Sequence, residues 1–337
     1  MNSMIEKFLG RIIALLLVAS IAVAASAPAL ASEVADFESA FDRALGTDAR
    51  APRSYDSPFE ERIALLSNAS LGRIGVAAVD LSTGKSVDVL GDQLFPMAST
   101  SKIAIAATFL EGVDKKRWSL TSEFPLMIPI RSAPFSSAAA PVRKGNYLPA
   151  RELIELMLTR SSNTATDALL EVVGGPAAVN EWVKRAGIKN FRIDRDIATL
   201  VRDDGAVDPA NVIDPRDAAT PFAMVELLSG LHQGKWLSPE SRAVLLGAMH
   251  RCITGKRRIP AMLPEEAVVA HKTGSLHNTS SDVGIVKSPD GRAFAVAIYV
   301  TGQGSRRNRE ARIASIARAL YDGYLSQPPA YRRSASR

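Results

Sequence analysis

The chain has 337 residues, a length that suits one large domain or two small ones. Apolar residues make up 47% and charged residues 23%, which are proportions of a globular protein and exclude a globally disordered chain. The net charge is +6, but aromatic residues are only 6% and the basic residues are dispersed, which argues against a nucleic-acid-binding surface. Three short basic clusters are interpreted as solvated surface charge; they are Lys256–Arg258, Arg306–Arg307 and Arg332–Arg333.

The first 31 residues have the organisation of a secretory signal peptide. A basic start precedes an uncharged run over 12–25, and small residues follow at Ala29 and Ala31. The run is shorter than the roughly 20 residues that span a bilayer as a helix, although an uncleaved anchor is the alternative. We therefore expect cleavage near Ala31, a periplasmic or secreted protein, and no stable membrane insertion afterwards. Residues 32–57 are then an N-terminal leader.

Cys252 is the only cysteine, so no disulfide can form within the chain. We interpret it as a small buried apolar side chain rather than a nucleophile. The histidines lack the spacing of metal ligands, so neither a metal nor another cofactor is predicted; they are His232, His250, His271 and His277.

Hydrophobic periodicity predicts strands towards both ends of the chain and helices between them. The predicted strands are 74–81, 86–90, 268–273, 282–287 and 293–300. The predicted helices are 59–66, 99–109, 149–159, 164–173, 177–186, 221–232, 239–250 and 309–324. The stretches 131–146 and 195–217 are predicted as loops.

This order of elements predicts an α+β fold, an α/β sandwich. An antiparallel sheet built from both chain ends would be covered by helices, with an all-helical lobe inserted. A cleft between the sheet and the lobe is a natural place for a site. The domain is expected to span 58–325, with a disordered basic tail over 326–337. Nothing in the sequence indicates an oligomer, so we expect a monomer.

Ser99 and Lys102 lie three residues apart at the start of a predicted helix, where positions i and i+3 share a face. A serine attacks a carbonyl only when a base takes its proton, and a lysine held neutral can be that base. Ser82 and Lys85 have the same spacing, but they fall in a predicted hairpin turn. Ser99 is favoured because the residues that follow it, 103–110, are apolar enough for a helix buried on all sides.

Two further motifs follow, Ser161-x-Asn163 at the start of a predicted helix and Lys272–Gly274 on a predicted strand. Together with Ser99 and Lys102, they form an ordered set that resembles the serine β-lactamases and penicillin-binding proteins. The resemblance covers about 59–324 and is closest to class A β-lactamases in four further segments, which are 174–179, 217–221, 269–274 and 282–286.

The resemblance implies a role for each motif residue. Ser99 is the nucleophile, Lys102 is its proton partner, and Ser161 passes a proton to the leaving nitrogen with help from Lys272. Asn163 holds the side-chain amide of the substrate, and the backbone N–H groups of residues 99 and 275 form the oxyanion hole. The implied substrate-binding residues are Asn163, Thr273, Gly274 and Ser275. Considered one at a time, these residues have simpler interpretations. Ser161 and Asn163 could cap the N-terminus of a helix, and Lys272 could be a solvent-exposed strand residue.

One element of the class A pattern is missing. The resemblance implies a long loop closed by an ion pair between Arg195 and Asp217, with a glutamate just after the arginine that activates water for deacylation. Here the arginine is followed by Asp196 and Ile197, and no glutamate lies between Arg195 and Asp217. Asp196 is the candidate substitute, although its side chain is shorter. The other loop aspartates are Asp203, Asp204 and Asp208.

Three functions therefore remain open. A β-lactamase that hydrolyses its acyl-enzyme is favoured by the class A segments and by export. A D-alanyl-D-alanine carboxypeptidase or slow penicillin-binding protein is favoured by the missing glutamate. A sensor that is only acylated would need a membrane link. The sequence predicts a serine hydrolase of the class A-like β-lactamase type, and its ligand is a small β-lactam or a peptidoglycan stem peptide.

Overall fold

The computed structural model describes residues 57–327. The predicted signal peptide, the leader up to residue 56 and the tail beyond residue 327 lie outside them. Within 57–327, no helix is both long enough and apolar enough to cross a membrane.

A five-stranded antiparallel sheet joins the two ends of the described chain. Its strands are β1 (Ile74–Asp80), β2 (Ser86–Val89), β8 (Val268–Leu276), β9 (Thr279–Lys287) and β10 (Ala293–Thr301). They are ordered β2-β1-β10-β9-β8. β1 pairs with β10 from Ile74 opposite Val300 to Asp80 opposite Phe294. The predicted sheet is therefore confirmed. All nine residues of β10 are buried, which explains its unbroken apolar run.

Helices cover both faces of this sheet within the described residues. They are α1 (Pro58–Ser67), α2 (Lys102–Asp114), α3 (Ala150–Thr159), α4 (Asn163–Val173), α5 (Gly175–Arg185), α6 (Ile197–Arg202), α7 (Pro221–Gln233), α8 (Pro239–His250) and α9 (Arg306–Ser326). Two 3-10 turns lie at Ala98–Ser101 and Ile259–Met262. The closing helix α9 thus extends two residues beyond its predicted end at residue 324.

The sheet separates two apolar cores. On one face, Val76 and Ile298 pack in the same cluster as Ile316 and Leu320 of α9. On the other face, the sheet packs against the helical lobe around α2. Helix α2 is buried around its whole circumference, as predicted, and its buried residues are Lys102–Ala107, Phe109, Leu110 and Gly112. A helix of this kind is a rigid base for a catalytic side chain.

The inserted lobe is not all-helical, so that part of the prediction is wrong. β4 (Glu123–Pro129) and β5 (Val142–Pro149) form an antiparallel hairpin within it. The prediction of a loop over 131–146 is therefore wrong from Val142 onward, where β5 begins. No residue of β5 is fully buried, and of its apolar residues only Val142 and Leu148 pack against the core. Hydrophobic periodicity therefore has little to detect. Three two-residue strands also pair, namely β3 (Phe95–Pro96), β6 (Phe191–Arg192) and β7 (Ala218–Ala219).

Candidate active site

Ser99 lies in the 3-10 turn Ala98–Ser101, immediately before α2, and is half-buried. The hydroxyl of Thr100 donates a 2.8 Å hydrogen bond to the carbonyl oxygen of Met97 and fixes the turn. Ala98 has a backbone φ of +49°, a left-handed conformation that is uncommon for residues other than glycine. The chain therefore holds the residue before Ser99 in a strained conformation.

Strand β8 passes this turn at Gly274. A Cβ atom at this position would lie 2.6 Å from the carbonyl oxygen of Met97 and 3.2 Å from Cβ of Ala98. Only glycine permits so close an approach of backbone to backbone. Gly274 is therefore the contact that keeps Ser99 and Ser275 on neighbouring segments.

Lys102 is the first residue of α2, and its side chain is completely buried. Its Nζ donates to the carbonyl oxygen of Ser161 at 2.8 Å, to Oδ1 of Asn163 at 2.7 Å and to Oγ of Ser161 at 3.3 Å. Burial, together with the charge of Lys272, lowers the pKa of Lys102 well below its ordinary value. This amine can therefore accept a proton.

Lys272 approaches the same hydroxyl from β8. Its Nζ donates to Oγ of Ser161 at 3.0 Å and to the carbonyl oxygen of Thr273 at 2.9 Å. The side chain is completely buried, so it is not a solvated strand residue. Burial lowers the pKa of Lys272 to about 8. The two lysines thus meet at the hydroxyl of Ser161.

The capping function at the start of α4 belongs to Ser162, whose Oγ accepts from the backbone N–H of Ala165 at 3.3 Å. Ser161 and Asn163 therefore direct their side chains to Lys102 rather than to the helix end. Ser161 has a left-handed backbone φ of +58°, a conformation that costs free energy and is found mostly at functional sites.

Arg258 is a residue that sequence reasoning missed. The prediction of solvated charge for its basic cluster is wrong at this position, because only 1% of Arg258 is exposed. Its guanidinium donates to the carbonyl oxygens of Gly274 and Ser281 at 2.8 and 2.7 Å, and to Oγ of Ser275 at 2.7 Å. It also pairs with Glu310 at 3.3 Å. A buried cation therefore lies directly beside Ser275.

The comparisons with known proteins agree with this geometry. A sequence model of the Beta-lactamase enzyme family matches residues 58–324. The chain is 31% identical over 270 residues to β-lactamase CTX-M-8 of Citrobacter amalonaticus, covering 79% of this chain and 89% of that one. It is 33% identical over 245 residues to the extended-spectrum β-lactamase PER-1 of Pseudomonas aeruginosa, covering 69% and 76%. The solved structure of a β-lactamase from Chitinophaga pinensis DSM 2588 superposes with a TM-score of 0.70 at 30% identity, covering 80% of this chain and 100% of that one.

The chain belongs to the β-lactamase enzyme family. It is a serine hydrolase of the class A-like type, as the sequence predicts, and its α+β fold is that of its class A structural neighbours.

The loop of this β-lactamase that follows β6 is closed by the predicted ion pair, which is confirmed. Nε of Arg195 lies 2.6 Å from Oδ2 of Asp217. Oδ1 of Asp217 accepts from the backbone N–H groups of Asp194 and Arg195 at 2.8 and 3.1 Å. The prediction of an unstructured loop over 195–217 is wrong in part, because α6 lies within it. Six residues are too few for a periodic pattern to be recognised.

The loop aspartates hold the loop in place. Oδ1 of Asp196 caps α6 by accepting from the backbone N–H of Thr199 at 2.7 Å. Asp203 accepts a hydrogen bond from the backbone N–H of Phe135 at 3.0 Å. Asp204 accepts one from His277 at 2.9 Å, and Asp208 accepts one from Ala210 at 3.0 Å. Each predicted candidate for a water-activating base therefore already has a structural partner.

Asp167 is a second residue that sequence reasoning missed. It is buried in α4, four residues after Asn163, so helical spacing could have placed both on one face. Its two carboxylate oxygens accept from the backbone N–H groups of Ile197 and Ala198 at 2.7 and 2.9 Å. Burial and, to a lesser extent, the charge of Asp196 raise the pKa of Asp167, and these hydrogen bonds and the charge of Lys102 lower it; the net result is a pKa of about 6.

Cys252 lies in the segment after α8. The interpretation as a buried apolar side chain is wrong. Cys252 is half-buried and its sulfur lies 3.2 Å from Oγ1 of Thr254, which in turn is 2.7 Å from Oγ1 of Thr273. Burial raises the pKa of the Cys252 thiol, but the hydrogen bond and charge of His271 outweigh it and lower the pKa below its ordinary value. His271 itself is 2.8 Å from Asp282.

Proposed function

We propose that this β-lactamase opens β-lactam rings through a covalent acyl-enzyme on Ser99. The observation that carries the proposal is the meeting of two lysine amines at the hydroxyl of Ser161, with Lys102 at 3.3 Å and Lys272 at 3.0 Å. Because burial lowers the pKa of both amines, protons can move through this hydroxyl near neutral pH.

Acylation would follow from this arrangement. Oγ of Ser99 attacks the lactam carbonyl carbon while the amine of Lys102 takes its proton. The backbone N–H groups of Ser99 and Ser275 stabilise the oxyanion, since Gly274 keeps the two segments together. The carbon–nitrogen bond then breaks, and the hydroxyl of Ser161 supplies the proton that the leaving nitrogen needs. Lys102 returns a proton to Ser161.

The substrate class follows from the charges around the site. Lys272, Thr273 and Ser275 are expected to bind the carboxylate of the substrate, and the buried guanidinium of Arg258 donates to Oγ of Ser275. Asn163 is expected to bind the side-chain amide, which would compete with its 2.7 Å hydrogen bond to Lys102. An anionic β-lactam with an acylamino side chain is therefore the proposed substrate.

A second candidate function is a D-alanyl-D-alanine carboxypeptidase or slow penicillin-binding protein. The observation that favours it is the absence of the expected glutamate after Arg195, where Asp196 is used as a helix cap and Ile197 follows. The same Ser99 chemistry would then act on peptidoglycan stem peptides, and a β-lactam would remain attached.

Time-resolved intact mass spectrometry of the purified protein mixed with excess benzylpenicillin separates these functions. A β-lactamase gives a transient adduct that disappears as hydrolysed penicillin accumulates. An adduct that persists for hours identifies a penicillin-binding protein, and no adduct at all contradicts both.

Two serine variants locate the adduct. Ser99→Ala is expected to abolish labelling, whereas Ser82→Ala, which removes the matching serine of the hairpin turn, is expected to leave it unchanged. Oγ of Ser82 bonds Asp80 in that turn, so the variant controls for loss of a hydroxyl elsewhere. Labelling that survives Ser99→Ala would refute the assignment of the nucleophile.

We also propose that the mature enzyme is a periplasmic or secreted monomer produced by cleavage of a signal peptide near Ala31. The proposal rests on the composition of residues 1–31, and the catalytic domain would span 58–325. N-terminal sequencing of the exported protein should give a chain that starts at Ser32.

A further inference from the structure

A cavity of about 310 Å³ lies between α4, α6 and the β4–β5 hairpin. Asn163 and Asp167 line it from α4, and Ile197 and Ala198 line it from the loop. Asn163 is also hydrogen-bonded to Lys102, so one side chain links the cavity to the amine that is proposed to take the proton of Ser99. A volume of this size holds several water molecules, since each takes about 30 Å³.

The walls of this cavity offer partners for water. Oγ of Ser132 is buried and has no hydrogen-bond partner. Each oxygen of Asp167 accepts one backbone N–H, and a carboxylate oxygen has a second lone pair that can accept another hydrogen. Asp167 is thus the aspartate that both holds the 195–217 loop and lines this cavity. Asp196, by contrast, caps α6.

The charged groups around Asp167 come from three elements. Lys102 acts on it from α2 and Asp196 from the start of α6. Arg202 and Arg131 line the same cavity from α6 and from the segment after β4. Burial is the largest influence and raises the pKa of Asp167 to about 6, which suits a general base at neutral pH.

We propose that Asp167 is the base that activates water to hydrolyse the Ser99 acyl-enzyme, in place of the missing loop glutamate. The inference rests on the proposed acylation of Ser99. Asp167 takes one proton from the water as its oxygen bonds to the acyl carbon. The bond between that carbon and Oγ of Ser99 then breaks, and a proton returns from Asp167 to Oγ through Lys102. The product acid loses its remaining proton to solvent.

Asp167→Asn tests the inference in the same mass-spectrometric assay. The adduct should form at the wild-type rate, and its lifetime should increase by 100-fold or more, the usual contribution of a general base. Asp208→Asn is the matched control, because Asp208 also accepts a backbone N–H in this loop but lies outside the cavity lining. The inference is overturned if the adduct of Asp167→Asn has the wild-type lifetime. It is also overturned if the adduct is long-lived in Asp196→Asn but not in Asp167→Asn.

Asp167 also anchors the loop, so a further readout separates chemistry from anchoring. The wild-type deacylation rate should fall as pH drops below about 6, and formate should restore hydrolysis to Asp167→Ala. Ile197→Glu in the Asp167→Asn background should also restore it, since residue 197 lines the same cavity. If both rescues fail and the wild-type deacylation rate does not fall below about pH 6, Asp167 only anchors the loop. If no adduct forms in the wild type, the proposed function fails first.

Discussion

Lys272→Met should remove a gain in stability that the wild type makes at alkaline pH. Lys272 is completely buried, and its pKa of about 8 lies below its ordinary value of 10.5. Between these values the unfolded chain binds more protons than the folded one, so the free energy of unfolding increases as pH rises. The gap of about 2.5 pH units corresponds to about 3 kcal/mol, most of it gained between pH 7 and pH 10. Met fills a similar volume but cannot titrate.

The assay is urea unfolding of both proteins at pH 7, 8, 9 and 10. The wild type should gain about 2.5 kcal/mol relative to Lys272→Met between pH 7 and pH 10. Lys85→Met is the control, because Lys85 is exposed and should contribute no such difference. A constant difference between wild type and Lys272→Met across this range would show that Lys272 is solvated, and the argument for a proton path through Ser161 would fail.

Three other substitutions test separate contacts. Gly274→Ala places a Cβ 2.6 Å from the carbonyl oxygen of Met97 and should slow acylation about 100-fold, measured by stopped-flow nitrocefin hydrolysis; an unchanged rate would contradict the close approach. The Cys252 thiol should react with iodoacetamide at a lower pH than a free cysteine, and His271→Asn should remove that advantage. Arg258→Met should destabilise the fold by about 3 kcal/mol in urea unfolding because it leaves buried acceptors unpaired, and Arg257→Met, at an exposed neighbour, should not.

The sheet and the motif residues could be predicted because their signals are local. The three C-terminal strands carry long apolar runs, and β10 is buried throughout. The spacing of Ser99 and Lys102 describes one helical turn, and the structure places Lys102 with Ser161, Asn163 and Lys272, as the resemblance implies. The pairing of Arg195 with Asp217 is not a local signal and could be predicted only from the resemblance to class A β-lactamases.

Other features depend on tertiary partners that the sequence does not display. Arg258 lies in a basic cluster typical of a surface. Its contacts with Glu310 and two carbonyl oxygens offset the free-energy cost of burying its charge. Helical spacing places Asp167 on the face of Asn163, but its burial follows from its bonds to the backbone N–H groups of Ile197 and Ala198. Strand β5 has no fully buried residue, so its pairing with β4 is not visible as an apolar pattern. Each of these required knowledge of a neighbour distant in the chain.

The pairing of β1 with β10 has a consequence for the order of folding. Arg73 and Thr301, which are hydrogen-bonded beside this pair, are 228 positions apart in the chain. Contacts between such distant segments are slow to form, because a long loop must close before they stabilise anything. Ser99 follows β1 and Lys272 lies in β8, so the two halves of the site also come from distant segments and need a comparably long closure before they meet. In a refolding experiment, penicillin labelling should therefore return with the slowest phase, after the helices have regained their circular dichroism.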